Sequence, residues 1–294
     1  MMSIDGDMNF RKSIVKLPSF GEWKSRSSEK LEEKKMNILD KFNLIGRVSI
    51  VTGAAMGLGK AMALALGQAG SAIVIADINL EEAEKTAAEF RSNEGIEAIA
   101  IKMDVTKEED VNNMVSEVVH RLGRIDILFN NAGINVHEKA EETSFDSWKK
   151  VVDINLNGVF LVSKAVGKVM IEQKKGSIIN ISSMSGIIAN IPQCQASYNA
   201  SKAGVIMLTK SLAVEWAKHN IRVNTIAPGY MKTELTKPYF ERNDNMVQTW
   251  MDITPMGRPG TPDELGGIAL YLASDASSFV TGNVFGIDGG YTAV

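Results

Sequence analysis

Short apolar runs rich in Ile and Val recur along the chain from Leu44 to its end. Seven such runs are RVSIVTG, SAIVIAD, EAIAIKMDV, IDILFNNAG, GSIINIS, IRVNTIAPG and NVFGID. Each run is continuously apolar rather than alternating, which is typical of strands buried on both faces of a parallel sheet. The pattern therefore predicts a sheet whose strands lie in the interior of the protein.

Amphipathic segments of helical length separate these runs. Two clear examples are LEEAEKTAAEFRSN and KEEDVNNMVSEVVHRLG, and PDELGGIALYLAS precedes the last run. Strand and helix alternate about six times, which is typical of right-handed crossovers in one doubly wound sheet. We therefore predict an α/β fold, a single Rossmann-type domain with helices on both faces of the sheet.

Residues 1–41 differ from the rest of the chain, because charged side chains replace the periodic apolar positions. This segment holds nine Lys or Arg and seven Asp or Glu, a net charge of +2. Such a composition is typical of a segment that buries no core of its own. We predict a flexible N-terminal extension over 1–41 and one folded domain over 42–294; an ordered functional arm is the alternative.

Composition and charge narrow the classes of partner. The chain has 294 residues, 45% hydrophobic and 23% charged, which suits one large α/β domain. A formal net charge of −3 argues against nucleic acid or an anionic membrane as partner. The single cysteine, Cys194, allows no intrachain disulfide, which fits a cytoplasmic location, and we expect it to be a small packed side chain. We expect no membrane span and no signal peptide.

Three glycines, Gly53, Gly57 and Gly59, follow the first predicted strand and lead into an Ala-rich helix. Glycine allows a tight turn and lets the backbone approach a pyrophosphate, and the helix N-terminus offers free N–H groups. The spacing G-x-x-x-G-x-G differs from the usual dinucleotide pattern G-x-G-x-x-G. The position between a strand and a helix favours a dinucleotide site over an ordinary turn.

An acidic residue, Asp77, ends the second predicted strand, eighteen residues after Gly59. A carboxylate there can accept hydrogen bonds from both ribose hydroxyls of adenosine, and it repels a 2′-phosphate. No Lys or Arg follows closely, and Met56 stands where a basic residue would hold that phosphate. These features predict NAD rather than NADP. Asp104, at the end of the third strand, either meets the adenine or caps the helix near Lys107.

Four motifs occur in order along the chain: TGAAMGLG, NNAG, YNASK and APG. Together they resemble the short-chain dehydrogenase/reductase family, and the resemblance covers the chain from about Leu44 to its end. It implies a seven-stranded parallel sheet flanked by helices, a nicotinamide cofactor and an Asn-Ser-Tyr-Lys catalytic tetrad. Each motif alone is weak, but the combination is specific.

The resemblance assigns three members of the tetrad to Asn155, Tyr198 and Lys202. Tyr198 would be the general acid in reduction and the general base in oxidation. A free tyrosine has a pKa of about 10, and Lys202, one helical turn on, would lower it together with oxidised nicotinamide. Asn155 would hold a water for proton relay, or satisfy backbone groups as a buried amide. The N-x-x-G spacing selects Asn155 over Asn157.

The serine of the tetrad has two candidates, Ser183 and Ser185. Ser185 stands thirteen residues before Tyr198, as in many family members, whereas Ser183 stands fifteen before it. The loop between the fifth predicted strand and Tyr198 is two residues longer than usual, and Ser183 directly follows that strand. We therefore predict that Ser183 orients the substrate oxygen by a hydrogen bond and that Ser185 contacts the substrate.

The lengthened loop NIPQCQASYNASK resembles the corresponding segment of polyol dehydrogenases of the galactitol and mannitol type. Asn190, Gln193 and Gln195 would bring amide donors and acceptors to the mouth of the site. A polyol needs such partners for its hydroxyls when water is removed, whereas a fatty acyl chain prefers apolar walls. We expect a small polar alcohol or carbonyl substrate, with a sugar alcohol and its keto-sugar favoured.

Cofactor contacts are predicted along the carboxyl ends of the strands and after the sixth strand. They are Gly53, Met56, Gly57, Leu58, Gly59, Asp77, Asp104, Val105, Asn131, Ala132, Gly133, Tyr198, Lys202, Pro228, Gly229, Met231 and Thr233. Asn131 is also expected to join two strands, and residues 235–254 resemble the family's mobile lid. The three histidines are scattered and predict no metal site. His137, which follows NNAGINV, either borders the pocket or is a surface residue, and we favour a surface residue.

Several functions fit these motifs. An NAD-dependent polyol oxidoreductase is favoured, while gluconate 5-dehydrogenase and 3-oxoacyl-carrier-protein reductase share the cofactor motifs. A regulator that senses NAD(H) without turnover is a further alternative. The intact tetrad counts against it, because such a protein need not keep these residues. The family resemblance and the apolar faces of segments 145–171 and 198–219 predict a homotetramer.

Overall fold

In the computed structural model the described residues are 37–234, 236, 237, 240 and 245–294. Residues 1–36 lie outside this range, so the extension predicted over 1–41 stays a prediction. The centre of the predicted lid also lies largely outside it. Ile38–Phe42 forms one 3-10 turn, and Ile38–Val294 is one compact unit.

All seven predicted strands form a single parallel sheet. In chain order they are β1 Val48–Thr52, β2 Ala72–Asp77, β3 Ala98–Lys102, β4 Ile127–Asn130, β5 Gly176–Ile181, β6 Ile221–Pro228 and β7 Val284–Ile287. Their spatial order is β3-β2-β1-β4-β5-β6-β7, so the winding reverses between β1 and β4. In such sheets a ligand binds outside the carboxyl ends of the strands at this reversal. The predicted fold class is confirmed.

Helices cover both faces of the sheet. They are α1 Gly57–Gln68, α2 Leu80–Asn93, α3 Glu108–Leu122, α4 Phe145–Val152, α5 Gly158–Gln173, α6 Ala196–Trp216, α7 Asn245–Ile253 and α8 Gly266–Ala273. A π-helical segment, Asp153–Asn157, joins α4 to α5. The helix predicted over 145–171 is therefore continuous, but it changes its winding at a kind of turn that is frequent at functional sites.

Two apolar cores lie on the two faces of the sheet. One contains Leu66 of α1 and Phe90 of α2, and the other contains Met114 of α3 and Val166 of α5. All four side chains are almost completely buried. Burial of the strands between two cores explains why the apolar runs are continuous along the sequence.

The continuous helix Phe145–Gln173 is long and apolar enough to cross a membrane by length and composition alone. The expectation that the chain has no membrane span stays a prediction. Its most apolar window has a mean hydropathy of 1.3, and half of that window is buried inside the protein. Val162 and Val166 of this helix are fully buried in the second core, so its apolar residues pack on the sheet.

Candidate active site

The glycine loop ends β1 and opens α1 at the reversal of the sheet. Gly53 and Gly57 both have a φ of +62°, a conformation that favours glycine. A Cβ on Gly53 would lie 2.9 Å from the Cα of Ala132, and a Cβ on Gly59 would collide with the backbone oxygen of Gly53. Met56 precedes α1 without capping it by a side chain. The first turn of α1 therefore keeps N–H groups for a pyrophosphate, and the loop fits a dinucleotide.

Asn131 joins the carboxyl ends of β1 and β4. Its Nδ2 donates to the backbone oxygens of Thr52 at 3.0 Å and Gly53 at 2.9 Å. The Thr52 hydroxyl in turn accepts from the backbone N–H groups of Asn131 and Ala132, both at 3.0 Å. These bonds hold the glycine loop against β4, which is the strand-joining role expected of Asn131.

Asp77 ends β2 beside the glycine loop. Its Oδ2 accepts from the N–H of Ala55 at 3.0 Å, and its Oδ1 accepts from the N–H of Asn79 at 3.0 Å. Asn79, not Asp77, caps α2 through its side chain. The nearby Lys60 pairs with Glu89 at 2.7 Å, so its ammonium group is already engaged. The sequence did not signal the bond to Ala55, which links Asp77 to the loop.

Asp104 follows β3 and holds the turn before α3. Its Oδ1 accepts from the backbone N–H of Thr106 at 3.0 Å and from the Thr106 hydroxyl at 2.7 Å. Burial acts to raise the pKa of Asp104, but these bonds and Lys107 leave it below its usual value. Helix α3 begins at Glu108 without a side-chain cap. The alternative in which Asp104 caps this helix is therefore wrong, because its oxygen is used one turn earlier.

Tyr198 and Lys202 lie one turn apart on α6, and Ser183 follows β5. The side chain of Tyr198 hydrogen-bonds to Ser183. Lys202 is only 4% exposed, and its Nζ lies 5.6 Å from the centre of the Tyr198 ring. The same Nζ donates to the backbone oxygen of Ile181 at 2.8 Å. The end of β5 thus holds the lysine beneath the tyrosine.

Burial controls the protonation of this pair. It raises the pKa of Tyr198, and the hydrogen bond with Ser183 opposes this rise only in part. It also lowers the pKa of Lys202 to about 8. In the protein alone, loss of hydration disfavours both charged forms, and the expected lowering of the Tyr198 pKa by Lys202 together with oxidised nicotinamide stays a prediction.

Asn155 lies in the π-helical segment and is completely buried. Its Nδ2 donates to the Ile134 backbone oxygen at 2.9 Å and to the Ser201 hydroxyl at 3.1 Å. Its Oδ1 accepts from the Ile134 N–H at 2.9 Å. Asn157 instead is exposed and donates to Asp153 Oδ1 at 2.8 Å. Asn155 therefore satisfies backbone groups, and Asn157 turns away from the site.

Gly133 lies next to the side chains of both Asn155 and Lys202. A Cβ on this glycine would lie 3.2 Å from Asn155 Oδ1 and 3.4 Å from Lys202 Nζ. Since Lys202 also lies under Tyr198, which bonds to Ser183, the four tetrad candidates form one cluster at the carboxyl ends of β4 and β5. A side chain at position 133 would fill the space between the amide and the ammonium.

The two candidate serines are joined to each other. Ser183 Oγ donates to Ser185 Oγ at 3.1 Å and accepts from the Ser185 N–H at 3.1 Å. Only Ser183 hydrogen-bonds to Tyr198, whereas Ser185 accepts from Gln195 Nε2 at 3.2 Å. Ser183 therefore lies next to the phenol, and Ser185 lies one bond further away.

The three amides of the lengthened loop bind mainly to the protein itself. Gln195 is 5% exposed and its Nε2 also lies 3.1 Å from Asn190 Oδ1 and 2.8 Å from Asn199 Oδ1. Gln193 and Asn190 donate to the Tyr230 hydroxyl at 2.9 and 3.2 Å. Buried amides need partners, and here they find them in neighbouring side chains. They shape the loop beside the tetrad.

An aromatic pair ties this loop to α7. The rings of Tyr230 and Trp250 stack with centres 4.2 Å apart, and Trp250 Nε1 donates to Gln193 Oε1 at 2.9 Å. Trp250 is 4% exposed. The sequence placed Trp250 in the lid but gave no signal for Tyr230, because their contact joins positions twenty residues apart.

Two further polar side chains lie beside the site: Asn135, which the sequence did not single out, and His137, for which the edge of the pocket was the less favoured alternative. Asn135 Nδ2 donates to Gln195 Oε1 at 3.0 Å and lies 3.0 Å from His137 Nε2. His137 is exposed, as expected, but it belongs to this network rather than to an isolated surface. Their position just after NNAG was the available signal, since a loop after a strand's carboxyl end borders the site.

The segment after β6 carries the remaining predicted cofactor contacts. Pro228 ends β6, and a Cβ on Gly229 would lie 2.7 Å from the Cα of Asp288. Met231 is buried and lies in the first core. The Thr233 hydroxyl lies 3.1 Å from that of Thr236. These residues lead from the sheet edge toward the lid segment.

The side chain of Cys194 is exposed, so the expectation that it packs inside is wrong. Its backbone oxygen instead accepts from the N–H of Glu138 at 3.0 Å, which pairs the loop before α6 with the loop after β4. Within the part of the chain that the structure describes, no three His, Cys, Asp or Glu residues are grouped as metal ligands.

Comparison with known proteins identifies relatives over most of the chain. Residues 53–292 match a family model described as enoyl-(acyl carrier protein) reductase. The chain is 44% identical over 258 residues to a sorbose reductase of Candida albicans, covering 87% of this chain and 90% of the relative. It is 40% identical over 251 residues to galactitol 2-dehydrogenase (L-tagatose-forming) of Cereibacter sphaeroides, covering 85% and 97%.

A solved structure agrees with the fold. The gluconate 5-dehydrogenase of Burkholderia cenocepacia, in complex with NADP and tartrate, superimposes with a TM-score of 0.83 at 41% identity. The match covers 88% of this chain and 100% of that one. The glycine loop and the tetrad segment fall within residues 53–292, which the family model matches.

Proposed function

This chain belongs to the short-chain dehydrogenase/reductase family, and we propose that it oxidises a polyol at a secondary alcohol, or reduces the matching keto-sugar. The observation that carries the proposal is the single cluster of Tyr198, Lys202, Ser183 and Asn155 beside the glycine loop. Similarity to sorbose reductase and galactitol 2-dehydrogenase supports the substrate class. Domain 42–294 would carry both catalysis and cofactor binding.

The nicotinamide, when bound, supplies or accepts the hydride. Tyr198 Oη gives its proton to the substrate oxygen in reduction and takes it back in oxidation. Ser183 Oγ lies next to that phenol and orients the substrate oxygen by a hydrogen bond. Lys202, held by the Ile181 oxygen, places a positive charge beneath the phenol, which stabilises the phenolate when it forms.

Asn155 has a positioning role in this proposal. Its amide ties the loop after β4 to α6 through Ile134 and Ser201. Its Oδ1 lies beside Gly133, on the side of Lys202. A water held there would connect the ammonium with solvent and let the proton leave the site, as the family resemblance implies.

The polar loop before α6 favours a polyol over an acyl chain. Asn190, Gln193 and Gln195 surround Ser185 and Tyr230 with amide groups. A substrate with several hydroxyls can exchange hydrogen bonds with such a polar wall, whereas an acyl chain offers these amides none. This chemistry counts against 3-oxoacyl-carrier-protein reductase activity.

We also propose NAD as the preferred cofactor, although the matched gluconate 5-dehydrogenase binds NADP. Asp77 places a carboxylate at the end of β2 beside the glycine loop. A 2′-phosphate near it would meet repulsion, and Lys60 is already paired with Glu89. These two observations support NAD over NADP.

A gluconate 5-dehydrogenase activity is the second candidate, because that relative shares the fold at 41% identity. A regulator that only senses NAD(H) is the less favoured alternative, since it has no need of a tyrosine beside a buried lysine. We further propose a homotetramer in the cytoplasm. The assembly is supported by exposed apolar residues on α5 and α6, and the location by a single cysteine.

The test is a substrate panel with the purified full chain. Each assay combines NAD or NADP with one substrate: galactitol, sorbitol, mannitol, D-gluconate or an acyl thioester that carries an alcohol group. Formation of the reduced cofactor is followed by absorbance. We expect turnover with at least one polyol and NAD. The Tyr198→Phe variant serves as control and should lose at least ~100-fold in turnover while still binding NAD. Turnover of the thioester alone would overturn the polyol proposal.

A further inference from the structure

A second polar cluster lies beside the tetrad, where the loop after β4 meets the loop before α6. Its members are Asn135, His137 and Gln195. Asn135 Nδ2 donates to Gln195 Oε1 at 3.0 Å and lies 3.0 Å from His137 Nε2. His137 also hydrogen-bonds to Gln195. The imidazole is therefore held by amides and is not a free surface side chain.

These contacts define the protonation state of the ring. An amide nitrogen only donates, so His137 Nε2 accepts from Asn135 and the ring proton resides on Nδ1. A second proton on Nε2 would place two N–H groups against each other and remove this bond. Partial burial lowers the pKa of His137, while the bond to Gln195 opposes that shift. Burial and the bond from Asn135 thus favour the neutral ring, whereas the bond to Gln195 favours the charged one.

The cluster connects to the reacting groups through hydrogen bonds. Gln195 donates to Ser185, Ser183 donates to Ser185, and Ser183 bonds to Tyr198. His137 stands at the exposed end of this series, whereas Tyr198 stands at its inner end. A substrate whose reacting carbon lies at Tyr198 and whose remote end extends along this series would reach His137.

Among the described residues, no ion pair of His137 with a carboxylate is found, and its neighbours in the loop are engaged elsewhere. Its neighbour Glu138 accepts from the Ser147 hydroxyl at 2.8 Å, and Lys139 pairs with Glu142 at 3.1 Å. The loop that packs against it from before α6 contributes the uncharged amides described above. His137 is therefore the group of this cluster whose charge changes near neutral pH.

We propose that His137 determines which remote end of the substrate is accepted: the neutral imidazole favours an uncharged polyhydroxy end, and the imidazolium admits the carboxylate of a sugar acid. The inference rests on the proposed function, because it assigns the substrate's second contact in the same site. It also gives a physical reason why similar active sites can act on polyols or on sugar acids.

The expected pH dependence follows from the sign of the charge. At pH 7 and above the ring is neutral, since an ordinary histidine titrates near 6.5 and this one is shifted lower. As the pH falls below that range the ring gains a positive charge, and a carboxylate gains a charged hydrogen bond. The preference for the acid over the uncharged ketose should then rise by about tenfold.

The first experiment measures kcat/KM for 5-keto-D-gluconate and for L-sorbose with NADH from pH 8 to pH 5. The ratio of the two values cancels the titration of Tyr198, which both reductions share. We expect the ratio to rise toward pH 5 in the native enzyme and to stay flat in His137→Gln, which keeps an amide but no charge. His120→Gln, on the exposed end of α3, is the matched control and should behave as the native protein.

A ratio that is flat in the native enzyme, or that rises equally in His137→Gln, would overturn the inference. Failure to reduce both compounds would instead count against the proposed function. A second measurement therefore avoids turnover: the imidazole of His137 is titrated by NMR with NAD present, and its signal is assigned by its loss in His137→Gln. D-gluconate should raise the pKa of His137, and galactitol should not. An unchanged titration with D-gluconate overturns the inference whatever the activity.

Discussion

At the scale of single residues, the charge on Asp77 bears on the choice of cofactor. Its two oxygens accept from the N–H groups of Ala55 and Asn79, so the carboxylate is fixed beside the loop that would hold the phosphates. Repulsion of a 2′-phosphate and loss of ribose hydrogen bonds are expected to favour NAD over NADP by at least ~30-fold in kcat/KM.

The variant Asp77→Ala should narrow this preference, because it removes the repulsion and the ribose contact together. The measurement is kcat/KM with NAD and with NADP in both proteins. Glu84→Ala, an exposed acid on α2, is the control and should keep the native preference. Equal use of both cofactors by the native enzyme would contradict the role of Asp77.

The two serines should differ in how much each contributes to kcat. Ser183 touches Tyr198, whereas Ser185 is one hydrogen bond removed from it. Ser183→Ala should therefore reduce kcat more than Ser185→Ala, since one oxyanion-type donor contributes about 10²-fold or more. Steady-state kinetics of the two variants decides the order, and the reverse order would assign the catalytic role to Ser185.

Burial of Lys202 makes the stability of the protein depend on pH. Its pKa falls from 10.5 to about 8 on folding, so between these values the unfolded chain binds more protons than the folded one. The free energy of unfolding should therefore rise with pH across this window, by about 3 kcal/mol from this residue.

The variant Lys202→Met should lose that rise, because it has no proton to release. Urea unfolding at several pH values between 7.5 and 10.5 measures the difference from the native protein. Lys210→Met, an exposed lysine of the same helix, should keep the native slope. An identical slope in Lys202→Met would mean that the buried amine does not titrate in this range.

At the scale of elements, the junction of β1, α1 and β4 depends on the absence of one side chain. A Cβ on Gly59 would meet the Gly53 oxygen and the Asn131 amide, which are the groups that hold the glycine loop. Gly59→Ala should lower the free energy of unfolding by about 1–3 kcal/mol, the range for overpacking, and it should weaken NAD binding.

Gly267 offers a matched control on α8. A Cβ there meets no atom within 4 Å, and alanine suits a helix better than glycine, so Gly267→Ala should be neutral or slightly stabilising. Urea unfolding and NAD titration of both variants compare the two positions. Equal stability of the two variants would contradict the tight packing at Gly59.

Much of the element order could be predicted, because a buried parallel strand has a local signature. All seven Ile- and Val-rich runs became strands, and the two quoted amphipathic segments became α2 and α3. The π-helical turn at Asp153–Asn157 could not be predicted, since its apolar spacing differs little from that of an α-helix. The motif spacing nevertheless selected Asn155, which this turn buries.

The site was only partly predictable for a related reason. The motifs gave Tyr198 and Lys202 directly, because both lie on one helix at a fixed spacing. The bonds of Gln195 to Ser185 and Asn135 join three loops that are distant in sequence, and no local pattern reports them. The rise of the Tyr198 pKa in the protein alone could not be predicted either, since it depends on burial, which no local pattern reports.

At the scale of the whole molecule, one face of α6 is left exposed by the residues that the structure describes. Met207 and Val214 stand seven residues apart on this helix, hence on the same side, and they are 60% and 82% exposed. Phe160 on α5 is 46% exposed as well. Large apolar side chains grouped in this way favour contact with a second copy.

Val214→Asp should therefore dissociate the proposed homotetramer, because it would bury unpaired charges at the contact. Light scattering after size-exclusion chromatography at micromolar concentration gives the mass of each protein. Val119→Asp, the same change at an exposed position of α3, should leave the assembly intact. A native protein that is a monomer under these conditions would contradict the proposal.

The pairing of two loops beside the site has a consequence for how such enzymes diverge. The Glu138 N–H binds the Cys194 oxygen, and the side chains of Asn135 and Gln195 bind each other across the same contact. A substitution in one loop thus disturbs its partner as well as the substrate, while the glycine loop on the other side of Asn131 is untouched. Related enzymes with new substrate preferences should accordingly differ in both loops at once. A variant that receives one loop from such a relative should be a poorer catalyst than a variant that receives both.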